Sequence, residues 1–132
     1  MDATPQPRFR FGARDRLHGQ RAVARVFHAR VGQRLGLLTV WAAPNDVGRP
    51  RLGLSVSRRV GNAVARVRIK RLLREAFRLG RNVWPAGYDV VIVPAPHEPA
   101  TLEAYQGLIA EAAAALHREW QRRGGGRGGG RT

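Results

Sequence analysis

Regular apolar spacing divides the chain into alternating helical and extended segments. In "RLHGQRAVARVFHAR" (16–30), Leu17, Val23, Val26 and Phe27 recur at helical spacing, predicting a short amphipathic helix over about 20–30. "LGLLTVWAA" (35–43) and "PRLGLSVS" (50–57) read as strands joined by the turn-rich "PNDVGRP". The second strand alternates Leu52, Leu54 and Val56 with Gly53, Ser55 and Ser57, so one of its faces carries only small side chains. Such a face admits close packing or leaves room for a flat or extended ligand against the sheet. A helix over 62–79 starts at Asn62, a residue type that caps helix N-termini. "YDVVIVPAP" (88–96) is apolar through Val90–Val93, as in a buried strand, and its prolines stop it. A last helix runs from about Thr101 to Arg122. Thr101 caps it, Glu103 lies in its first turn, and Leu102, Tyr105, Leu108, Ile109, Ala112, Leu116 and Trp120 form a core-facing stripe.

The order helix, strand, strand, helix, strand, helix predicts an α+β sandwich with a small, mostly antiparallel sheet packed by helices. Within the 132 residues this gives an irregular N-terminal tail (1–14), one domain (15–122) and a flexible Gly/Arg-rich tail (123–132). Arg/Gly-rich tails can touch single-stranded RNA without reading its sequence, or can simply be solvated.

Charge changes the picture most. Twenty-four Lys and Arg against nine Asp and Glu leave a net charge of +15, which opposes compaction and points to a polyanionic partner. All but Lys70 are arginines, whose planar fork suits phosphate. The absence of cysteine excludes disulfides, thiolate zinc sites and cysteine nucleophiles. The histidines, His18, His28, His97 and His117, show no metal-ligand spacing. No apolar run approaches the roughly 20 residues of a membrane span, and the N-terminus lacks the apolar core of a signal peptide, so a soluble, cytoplasmic protein is expected.

"SRRVGNAVARVRIKRLLREAFR" (57–78) holds eight basic residues and one acid, Glu75. At about 100° per residue, Ala65, Ile69, Leu72, Leu73, Ala76 and Phe77 share the side that must face the sheet. Lys70, Arg71, Arg74 and Arg78 share the other, with Arg68 at its edge. Like charges at i,i+4 cost a few tenths of a kcal/mol each, as do cations near a helix N-terminus, and a phosphate backbone would reverse both. Arg66 points toward the apolar side, and Val67 sits within the cationic one.

"RLGLSVSRRVGNAVARVRIKRLLREAFR" resembles the signature of the bacterial ribonuclease P protein subunit, and the resemblance extends over roughly residues 15–120, including "PAGYDVVIVP". Two positions depart from the family pattern. Val67 stands where Arg-Asn-Arg has its asparagine, and Val23 replaces the first aromatic of the N-terminal helix while Phe27 keeps the second. The resemblance implies a fold related to the second domain of a small-subunit ribosomal protein, with a left-handed βαβ crossover that breaks the usual rule. It implies binding of the catalytic ribonuclease P RNA through Arg58, Arg59, Arg66, Arg68, Lys70, Arg71 and Arg74, with Arg78 on the same ridge. It further implies a cleft for the 5′ leader of precursor tRNA at Phe27, Trp41, Ser55, Ser57 and Arg59; for Phe27 and Trp41 the alternative is core packing.

The implied reaction is hydrolytic removal of the leader, with Mg²⁺ at an RNA active site and no catalytic or metal-binding residue in the protein. The acids agree: Asp15, Asp46, Asp89 and the rest form no clustered set of the kind that holds catalytic ions. The alternative is a structural RNA-binding protein of the ribosomal type on the same fold; non-specific DNA compaction is a third reading.

Overall fold

The computed structural model describes residues 12–124. The tail readings for 1–11 and 125–132 therefore lie outside the described residues.

Helix α1 (Gln20–Ala29) is followed by β1 (Gly32–Leu35), β2 (Leu38–Pro44) and β3 (Arg51–Leu54). Then come α2 (Ala63–Leu79), β4 (Tyr88–Pro94) and α3 (Leu102–Gly124). Sheet order is β1-β2-β4-β3. β1 with β2 and β2 with β4 are antiparallel, whereas β3 and β4 run parallel with α2 as their connection. The expected α+β fold with a mostly antiparallel sheet is the one observed.

Alternation along the strands sorts the layers. Leu38, Val40, Ala42, Val90 and Ile92 face one side, where Ile69, Leu73, Ala76 and Phe77 of α2 and Tyr105, Ile109, Ala112 and Leu116 of α3 close the main core. Trp41, Ala43, Val91 and Val93 face the other side, where Leu17, Val26 and Phe27 cover them. The sheet is thus sandwiched, with α1 on one face and the α2–α3 pair on the opposite one. Truncating a fully buried side chain such as Ile69 to alanine would cost about 2–5 kcal/mol.

The helix ends follow the sequence cues. Asn62 accepts from the Ala65 amide at 2.8 Å, and Thr101 Oγ1 accepts from the Ala104 amide at 3.1 Å.

Two strand expectations are corrected. The segment 35–43 is not a single strand: β1 pairs with β2 across a tight turn at Gly36 and Leu37, with Leu35 opposite Leu38 and Gly36 at φ 57°. β1, "GQRL", is half polar because it is a sheet edge whose alternate residues meet solvent, so no apolar pattern announces it. The strand expected over 50–57 is shorter, ending at Leu54, and Ser57 opens a short 3₁₀ turn, Arg58–Val60.

Asp89 on β4 is the buried acid of the described residues, at 1% exposure. Arg51 grips it through Nε and Nη2 at 2.8 and 2.9 Å, Arg25 of α1 donates at 2.7 Å, and Asn45 Nδ2 at 2.8 Å. Burial pushes the Asp89 carboxyl up, but the bonds from Arg51, Asn45 and Arg25 outweigh it and hold its pKa below the ordinary range. Asn45 also organises the β2–β3 turn, donating to Arg49 O and accepting from the amides of Val47 and Gly48. Gly87 is required beside it, because a Cβ there would meet Asn45 Oδ1 at 2.4 Å.

Candidate nucleic-acid interface

The two faces of α2 separate as the helical wheel predicts. Ile69, Leu73, Ala76 and Phe77 are buried, while Arg68 and Arg71 are exposed and Lys70 and Arg74 half-buried. Arg78 differs from its ridge neighbours: it donates from Nε and Nη2 to both Glu75 oxygens, so the one local acid is spent on it. Among the described residues no carboxylate pairs with Arg68, Lys70, Arg71 or Arg74. Like charges therefore stand together without compensation.

That cost is visible at Arg74. Burial first, and then repulsion from Arg16, lowers its pKa and so disfavours its charged form. Arg16, Lys70 and Arg74 surround a small recess at the β3 edge, floored by Leu17, Leu52, Gly53 and Leu54. Arg16 reaches this place through a parallel bridge to Leu52. Sequence spacing carried no signal for it, because only the fold brings position 16 beside α2.

Arg66 does turn away from the ridge, as its position on the wheel suggested. Its Nη1 donates to Gly61 O at 2.8 Å, tying α2 to the loop that carries Arg58 and Arg59, both exposed. Val67 is 47% exposed and, with Val64, Arg68 and Arg71, borders an open apolar hollow on the outer face of α2.

On the other side of the sheet a shallow groove runs between α1 and β3, lined by Gly19, Gln20, Val23, Ala24, Phe27, Leu54 and Ser55. Phe27 and Ser55, both expected in a cleft, lie in it. Trp41 stands behind Phe27 as its edge-to-face partner, with ring centroids 5.6 Å apart at 76°. Gly32 makes this possible: a Cβ there would come within 2.6 Å of the Trp41 ring. Ser57 and Arg59 are exposed beyond the groove's β3 end. The room expected over the small-residue face is only partly open, because Leu17 and Val23 cover buried Gly53. Val23 and Leu54 were not singled out as groove residues; their apolar character reads equally as core.

The family model described as Ribonuclease P matches residues 11–119. The chain belongs to the ribonuclease P protein family. It is 41% identical over 76 residues to the ribonuclease P protein component of Syntrophus aciditrophicus, covering 58% of this chain and 55% of that one. It is 42% identical over 80 residues to that of Idiomarina loihiensis, covering 60% and 55%. The chain thus spans about half the length of the curated relatives it matches.

Solved structures in the family agree with the fold. The RNase P protein of Staphylococcus aureus superposes with a TM-score of 0.64 at 25% identity, covering 76% of this chain and 94% of that one. That of Thermotoga maritima gives 0.57 at 28% identity, covering 78% and 96%. Among the described residues no group of three or more His, Asp or Glu side chains comes together, and no helix is long and apolar enough to cross a membrane.

Proposed function

We infer that this chain is the protein subunit of a cytoplasmic ribonuclease P. It binds the catalytic RNA through Arg58, Arg59, Arg68, Lys70, Arg71 and Arg74, and holds the 5′ leader of precursor tRNA along the α1–β3 groove. The observation that carries this reading is the uncompensated cationic face of α2 beside a groove with an aromatic wall, on opposite sides of β3. Phosphates would relieve the repulsion within the ridge, and an unstacked base would lie against Phe27.

The chemistry that follows is a division of labour. Mg²⁺ ions held by the RNA would supply the metal-assisted hydrolysis. The residues of this chain screen phosphates where two RNAs approach and orient the leader, which raises substrate affinity when Mg²⁺ is scarce. Arg66 acts differently from its neighbours: its bond to Gly61 O holds the loop of Arg58 and Arg59 in place. A structural RNA-binding protein would need the ridge and have no use for the groove.

Reconstitution with a bacterial ribonuclease P RNA tests the reading. Precursor-tRNA cleavage at low Mg²⁺ should be stimulated by the protein, and more strongly for substrates that carry a leader of several nucleotides. No stimulation would overturn it.

A further inference from the structure

A second cationic surface lies at the sheet edge farthest from the ridge. Arg30, Gln33, Arg118, Arg122 and Arg123 line a concavity between β1 and the end of α3. β1 and β3 are the two edges of the sheet, separated by three interstrand steps, or roughly 14 Å. The ridge beside β3 and this concavity beside β1 therefore lie at opposite edges of the sheet.

Its charges are arranged rather than scattered. Glu119 accepts from Arg122 at 2.5 Å and Arg123 at 2.7 Å, so one carboxylate holds two guanidiniums side by side. Arg118 and Arg30 are exposed, and no carboxylate pairs with either among the described residues. Four guanidiniums thus face one acid. The helix dipole accounts for cations in the last turn of α3, but not for Arg30. That residue caps α1 at φ 60°, a left-handed conformation that glycine adopts without strain, and its amide donates to Phe27 O at 3.0 Å. A glycine would end the helix more cheaply, whereas arginine places a cation in the concavity. α3 ends at this surface.

We propose that this concavity is a second phosphate-binding surface, which takes the backbone of an RNA segment other than the one that meets α2. The proposal rests on the RNA-binding reading above and adds a second point of attachment, which would fix the orientation of the protein on a folded RNA. An acidic protein segment is the competing occupant, and the experiment separates the two.

The full chain carrying Arg118→Gln with Arg122→Gln leaves Glu119 paired to Arg123. Binding to a bacterial ribonuclease P RNA should then show a log–log salt slope shallower by about 1.5 units, and Arg118→Gln alone by about 0.8. Hydroxyl-radical footprinting should lose one protected RNA segment that Arg68→Ala/Arg71→Ala retains. Melting by circular dichroism reports folding, and the single variant carries the test if the double does not fold. An unchanged slope and footprint would overturn the proposal and leave an acidic protein segment as the occupant to seek. Footprints are read without cleavage, so a wild-type chain that binds but fails to stimulate cleavage would sink the proposed function alone.

Discussion

The Arg66 guanidinium folds back on the loop that precedes its own helix, and Nη1 meets the Gly61 carbonyl at 2.8 Å. An arginine in a strongly basic motif thus has an internal partner, while Arg68, one half-turn on, faces solvent. The two arginines of the Arg66-Val67-Arg68 motif do different work.

That difference is measurable. Arg66→Ala should lower thermal stability by about 1 kcal/mol, the worth of one hydrogen bond, and loosen the Arg58–Val60 turn. Arg68→Ala with Arg71→Ala should leave the melting temperature within experimental repeat and flatten the salt dependence of RNA binding by about one to two log–log units. Equal melting shifts in the two variants would contradict the distinction.

Phe27 should act on the leader and not on the rest of the substrate. Phe27→Leu keeps an apolar side chain against Trp41 but loses the ring face. The reconstituted enzyme should bind precursor tRNA with a five-nucleotide leader about 5- to 160-fold more weakly, given about 1–3 kcal/mol for each stacked base. Affinity for a substrate with a one-nucleotide leader should stay the same. A uniform loss for both would show that Phe27 only packs.

Asp89 is the buried carboxyl whose titration should weaken the fold in acid. Its pKa is depressed in the folded state, so its contribution is fully present above the unfolded value of about 4 and is lost as pH falls through the folded one. Asp89→Asn should cost on the order of 2–4 kcal/mol at neutral pH, since Arg51 and Arg25 lose their counter-charge. It should also flatten the fall of stability below about pH 4. Chemical denaturation across pH 3–7 checks both. An acid limb identical to wild type would place the titrating group elsewhere.

Val67→Asn restores the residue that the family motif carries here. Because Val67 is 47% exposed, stability should change by less than about 0.5 kcal/mol. Affinity for ribonuclease P RNA should be equal or greater. A marked loss of stability would show that Val67 packs more tightly than its exposure indicates.

The elements that sequence reading captured best are those whose burial is one-sided and long. α2 and α3 announce themselves by period and by caps at Asn62 and Thr101, because a helix must bury one stripe and satisfy its first amides wherever it sits. β1 escaped, since a four-residue edge strand exposes alternate positions and needs no apolar run. Arg78 was legible as a ridge position but not as Glu75's partner. Position on the wheel gives direction, and only side-chain conformation decides which of several arginines takes one acid.

The amino-acid sequence by itself determined the α+β class, the two-faced α2 and the excess of positive charge, all of which follow from local periodicity and composition. The tertiary structure decided which cations act together. It brought Arg16 beside Lys70 and Arg74, gathered Arg25, Asn45 and Arg51 on Asp89, and set Arg30 against the end of α3. Each of these groupings joins residues far apart in the chain, through strand order and helix packing. Periodicity reports how a segment meets its own surroundings, and it holds no information on which distant segment supplies them.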